Sequence, residues 1–89
     1  MTKGEIQIIC EKRFVELGAE KIELQLSGKC WTLDGEFFKV TTLQRWWVLE
    51  WTDNRSQASN YGFEDVEVMP YNISKAEVLE KVNSLIVKF

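Results

Sequence analysis

Between residues 20 and 69 the chain alternates apolar runs with short polar or glycine-bearing breaks. Ile22, Leu24 and Leu26 interleave with Glu23, Gln25 and Ser27. That period of two is the pattern of a strand with one wet face. Gly18-Ala19, Ser27-Gly28 and Asp34-Gly35 punctuate the runs. Asp-Gly is the strongest of these signals, because a type I′ hairpin turn needs positive φ at both central residues. The breaks predict strands at 21–27, 29–33, 36–42 and 44–52. Ile6, Ile8 and Cys10 alternate likewise, with Ile9 out of phase, and predict a first strand over 5–16. Its phase blurs around Phe14, Val15 and Leu17, which suggests a bulge or a short helical turn. A last strand is predicted at 63–69, with Val66 and Val68 on one face and Glu67 on the other. The stretch 53–60, Asp-Asn-Arg-Ser-Gln-Ala-Ser-Asn, has the composition of a mobile surface loop.

The period changes near the C-terminus. Ser74 is an N-cap candidate, and Glu77 three residues later completes a capping box. Ile73 before the cap and Val78 one turn beyond it can form a hydrophobic staple. Val78, Val82, Leu85, Ile86 and Phe89 follow at helical spacing, flanked by Leu79. Glu77 and Lys81 stand at i and i+4 in the favourable order. These residues predict a helix at 75–87, separated from the last strand by Pro70. So short a helix is marginal alone in water, so its apolar stripe must lie on the sheet. The predicted architecture is α+β: one domain over 1–89, an antiparallel β-meander sheet of five to six strands, and one C-terminal α-helix packed on one face.

One helix leaves part of such a sheet open, and the strand around residues 43–51, Leu-Gln-Arg-Trp-Trp-Val-Leu-Glu-Trp, crosses that region. Alternation puts Trp47, Leu49 and Trp51 on one face and Trp46, Val48 and Glu50 on the other. Aromatic residues bury the most area and suit strands, so Trp47 and Trp51 are assigned to the core under the helix. Trp46 shares its face with Glu50 and is the candidate for an exposed contact residue.

Composition narrows the chemistry. The chain has no histidine, which removes the commonest general base, the usual triads and most zinc sites. It carries no glycine-rich phosphate loop, no metal-ligand spacing of cysteines and no serine nucleophile motif. Asn72-Ile73-Ser74 fits a glycosylation acceptor pattern, but Ser74 is already accounted for as a helix cap. The two cysteines, Cys10 and Cys30, are too few for a disulfide framework and read as small buried hydrophobes. The only apolar run near the N-terminus, Ile6 to Cys10, is too short for a signal peptide or a membrane span. A cytoplasmic protein without catalytic residues, cofactor or metal is expected.

Eleven basic residues stand against 14 acidic ones, a formal net charge of −3. That balance disfavours nucleic acid, whose phosphates call for clustered Lys and Arg, and suits a basic protein. Glu50, Asp53, Glu64, Asp65 and Glu67 form an acidic group around the Trp-rich strand, relieved by Arg45 and Arg55. With Trp46 and Tyr61 as apolar anchors, these carboxylates have the anatomy of a protein-inhibitor interface. The strand-turn-strand unit at 22–33, the following Leu33-Asp34-Gly35-Glu36 and the tail at 68–86 resemble parts of small bacterial immunity proteins of polymorphic and contact-dependent toxin systems. The likeness covers roughly half of the chain. It implies tight binding to a toxin domain, usually a nuclease, and no catalysis. Three alternatives stand beside it: a phage-type inhibitor of a host defence system, a homo-oligomeric module such as a homodimer, and a ligand-binding module built on the Trp platform.

Overall fold

The computed structural model describes residues 1–86. Phe89 and the end of the predicted C-terminal helix lie outside them. Among the described residues the chain forms, in order, α1 (Lys3–Glu16), β1 (Glu20–Leu24), β2 (Gly28–Leu33), β3 (Glu36–Thr42), β4 (Trp46–Thr52), α2 (Arg55–Ser59), β5 (Glu64–Pro70) and α3 (Lys75–Ile86). The strands make one antiparallel sheet in the order β1-β2-β3-β4-β5, as the consecutive hairpin signals predict. No helix among the described residues is long and apolar enough to cross a membrane.

The first predicted strand is instead α1. Thr2 Oγ1 accepts the Glu5 N–H, and Glu5 Oε1 accepts the Thr2 N–H, each at 3.1 Å. This capping box satisfies two amides that a helix start otherwise leaves without partners. Ile6, Cys10 and Phe14, each one turn from the next, are completely buried, whereas Ile8 is 66% exposed. Ile6, Cys10 and Phe14 fit both periods, and only Ile8 belongs to the strand period alone. Gly18, at φ +92°, ends the helix. Its N–H donates to the Val15 carbonyl, and the Ala19 N–H donates to Phe14 at 2.9 Å, a Schellman motif.

Asp34 (φ 51°) and Gly35 (φ 79°) both lie at positive φ, as the predicted type I′ turn requires. β1 ends at Leu24 rather than 27, so Gln25, Leu26 and Ser27 form the turn and Leu26 is exposed. β4 begins at Trp46 rather than 44, because the Leu43 N–H donates to the Trp46 carbonyl and closes a tight turn over Gln44 and Arg45.

One sheet face carries the main core. Trp31, Phe38, Val40, Trp47, Leu49 and Met69 meet Ile6, Cys10 and Phe14 of α1 and Val78, Val82 and Leu85 of α3. Trp47 and Leu49 are completely buried there, and Trp51 packs against them half-buried. Two helices therefore cover the face that one was expected to cover. Phe14 brings the α1 end of this layer together, with its ring 5.6 Å from Trp31 and 5.8 Å from Phe38. Trp47 Nε1 donates to the Pro70 carbonyl at 2.9 Å, and Trp51 Nε1 to Glu36 Oε1 at 2.7 Å.

The opposite face holds a smaller core of Leu24, Cys30, Phe37 and Ala58, flanked by Ile22 and Phe63. Ala58 comes from α2, so the segment read as a polar loop is a short helix lying on this face. Asn54 caps it by accepting the Gln57 N–H at 3.1 Å. Ser27, buried in the β1–β2 turn, holds it down: its hydroxyl donates to the Ala58 carbonyl and accepts the Tyr61 N–H at 3.0 Å. A single buried alanine in a polar stretch gives no periodicity for a sequence reading to find.

Cys10 and Cys30 are unpaired and buried, one in each core. Burial pushes the Cys10 thiol up to about 12 and raises that of Cys30.

Candidate functional site

α2 covers the β1–β3 side of the second sheet face and reaches the Thr52 end of β4. Antiparallel partners point to the same side, so the register lists the rest of that face directly. Trp46 stands opposite Pro70, and Val48 lies between Thr41 and Val68. Glu50 lies between Lys39 and Asp65. Across this half-sheet Trp46 is 46% and Val68 57% exposed, and Leu43 in the adjoining turn is 42% exposed. Leu43, Gln44, Arg45 and Trp46 line a shallow pocket beside them. Tyr71 fixes that turn by donating its hydroxyl to the Leu43 carbonyl.

The four indoles divide by role. Trp31, Trp47 and Trp51 donate to Glu11, Pro70 and Glu36. The Trp46 N–H donates to no acceptor among the described residues, and its ring lies against solvent. Trp46 is thus a large, rigid aromatic with a free donor at the edge of an apolar patch, the type of residue that anchors protein interfaces.

Glu50 is half-buried, and burial raises its carboxyl above the usual carboxylate range. The Thr41 hydroxyl bond and the Lys39 charge oppose that rise, while the neighbouring Asp65 carboxylate adds to it. Lys39 does not close an ion pair with Glu50. Its ammonium is drawn to the Ser27 carbonyl at 2.9 Å. Glu50 and Asp65 therefore present two carboxylates side by side with no cation bridged to either among the described residues. No group of His, Cys, Asp and Glu able to hold a metal occurs among the described residues.

No family model, no curated protein and no solved structure matches this chain.

The predicted contact residues do not form one surface. Trp46, Glu50 and Asp65 share the open half-sheet. Glu67 pairs with Leu49 on the helix side, where its carboxylate lies 3.4 Å from Lys81 of α3. Glu64 pairs with Trp51 and is exposed at the sheet edge. Asp53 is exposed just beyond β4. Tyr61 is 67% exposed at φ +60° and is held over the β1–β2 turn by Ser27. It lies toward the far side of the sheet from Trp46.

The acidic group is split by a β-bulge. Leu49 pairs with Glu67 and Glu50 with Asp65, so Val66 is an extra residue in β5. Val66 borders a shallow pocket with Trp51, Ser84 and Leu85 on the helix side, whereas Val68 pairs with Val48 on the open side. The two valines therefore do not share a face as predicted. Strict alternation through 63–69 cannot register one inserted residue. Sequence reading also missed Leu43, Val68 and Pro70 as neighbours of Trp46. Cross-strand pairing brings Val68 and Pro70 to it, which no local pattern in the sequence marks, and the turn over Gln44 and Arg45 brings Leu43.

Proposed function

We propose that this protein is a small acidic inhibitor that binds and neutralises a basic partner protein, acting in the cytoplasm as an immunity protein that masks a toxin domain, with a nuclease as the first candidate. The single observation that carries the reading is the open half-sheet around Trp46. There a half-exposed indole, without a partner among the described residues, sits with Leu43 and Val68, beside the Glu50 and Asp65 carboxylates that no cation among those residues bridges. The apolar residues supply a desolvated centre, and the carboxylates meet Lys or Arg of the partner. Glu64 and Asp53 extend the acidic field along the edge and speed encounter. Tyr61 and Glu67 lie away from this patch and contribute at its periphery or not at all. The resemblance of segments 22–33 and 68–86 to immunity proteins supports the same class. The reading requires no catalysis and no cofactor.

The test is to immobilise the protein in a lysate of its source cells and purify what it retains. The expected partner is basic, its nucleic-acid cleavage stops at a one-to-one ratio, and Trp46→Ala releases it. Retention that survives both Trp46→Ala and Glu50→Lys, or a partner whose activity is untouched, overturns the proposal.

A further inference from the structure

The outer side of the helical layer carries a second surface, opposite in character to the acidic half-sheet. α1 and α3 leave between them a groove of about 480 Å³. Ile8, Ile9 and Leu79 provide its apolar lining, and Lys12, Arg13 and Lys75 stand around it against one acid, Glu16. Arg13 is already engaged: its Nε donates to Asn83 Oδ1 at 2.8 Å, and its guanidinium lies 3.6 Å from Glu16. Lys12 and Lys75 form no ion pair among the described residues. In a chain of net charge −3 this groove is locally positive.

Ile8 and Val15 are not demanded by the fold. α1 makes its core contacts through Ile6, Cys10 and Phe14, with Ile9 packed against them partly buried, yet Ile8 is 66% and Val15 59% exposed. Ile8, Lys12 and Val15 follow at i, i+4 and i+7 and form one stripe along the helix. Exposed β-branched residues at that spacing, beside a recess between two helices, match the helix-in-groove mode of recognition.

From this arrangement we infer that the α1–α3 groove binds an acidic amphipathic helix of a protein partner, with its apolar side on Ile8, Ile9 and Leu79 and its carboxylates at Lys12 and Lys75. The α1 residues that line the groove run from Ile8 to Glu16, a rise of about 12 Å, so two turns of helix fill it. Charge complementarity selects this occupant. A second copy in a two-fold contact would set the same unpaired lysines against each other. The inference stands apart from the sheet-face reading, since the two surfaces share no residue.

The probes are two labelled, side-chain-stapled helical peptides with leucines at i, i+4 and i+7, one flanked by Glu and the other by Lys, followed by fluorescence anisotropy. The acidic peptide is expected to bind at least about tenfold more tightly than the basic one, with the difference shrinking as salt rises. Lys12→Glu with Lys75→Glu should reverse the preference, and Ile8→Asp should weaken binding about tenfold or more. Trp46→Ala should leave it unchanged. Equal binding of both peptides, no binding of the acidic one up to about 1 mM, or loss on Trp46→Ala instead overturns the inference. So does sedimentation as a dimer that Ile8→Asp dissociates, or co-sedimentation with phosphatidylserine vesicles without peptide binding.

Discussion

Trp47 donates its indole N–H to the Pro70 carbonyl at 2.9 Å, on the helix side of the sheet, while the neighbouring Trp46 stands opposite the same Pro70 on the open side. Two adjacent tryptophans thus touch one residue from two faces with opposite roles. Trp47 is completely buried, and Trp46 is 46% exposed. Trp47→Phe should cost about 2–4 kcal/mol of stability, from lost volume and an orphaned carbonyl. Trp46→Ala should change stability by less than about 1 kcal/mol and weaken binding of a partner by about 2 kcal/mol or more. Urea denaturation and a binding titration on the same two variants check both halves.

Ile6 and Ile8 separate a helix from a strand at the N-terminus. A strand would place both on one face and make them equally sensitive. In α1, Ile6 is completely buried and Ile8 largely exposed. Ile6→Ala should therefore cost about 2–5 kcal/mol, and Ile8→Lys should stay within about 0.5 kcal/mol of the parent. Thermal unfolding followed by circular dichroism is sufficient.

Ser27 ties α2 to the β1–β2 turn through one hydroxyl that serves both the Ala58 carbonyl and the Tyr61 N–H. Ser27→Ala leaves both groups without that partner and should cost about 1–3 kcal/mol. Faster hydrogen exchange at the Tyr61 amide, with the α1–α3 layer unchanged, is the expected signature.

Glu50 makes stability and binding respond to pH in opposite directions. Burial raises its carboxyl, so the folded protein holds that proton more tightly than the unfolded chain. Acidification from neutral pH into the window above the usual carboxylate range therefore favours the folded state at this site. Glu50→Gln removes the titration. Its stability relative to the parent should be most favourable near pH 7 and decline as pH falls through the raised value. Affinity for a basic partner should fall over that same interval in the parent and stay flat in the variant. Paired denaturation and binding curves from pH 7 to pH 4 check the two slopes.

The legible parts of the fold were those written locally. Asp34-Gly35 specifies its turn because only that backbone conformation closes the hairpin. Ser74 and Glu77 mark the start of α3, where the Ser74 hydroxyl accepts the Glu77 N–H at 3.2 Å. The alternation of Trp47, Leu49 and Trp51 identified the helix-facing side of β4, and the position of Trp46 followed from it. α1 was not legible, because Ile6, Cys10 and Phe14 satisfy periods of two and of 3.6 together, and Ile8 adds to the strand pattern alone. α2 was not, because one alanine anchors it. The acidic site was legible as composition but not as a surface. The bulge at Val66 sends Glu67 toward Lys81 and leaves Asp65 beside Glu50.

The sequence by itself determined the antiparallel order of the strands, the C-terminal helix and which tryptophans of β4 meet the main core. Turn chemistry, capping and side-chain alternation act over a few neighbouring residues, and the chain carries them wherever it goes. Tertiary structure decided that the N-terminal segment is a helix and that α2 occupies half of the second face. It also decided that Trp46, Val68, Glu50 and Asp65 form one surface. Each of these depends on which residues distant in the chain come to lie side by side, and that is set by burial and strand register rather than by local pattern.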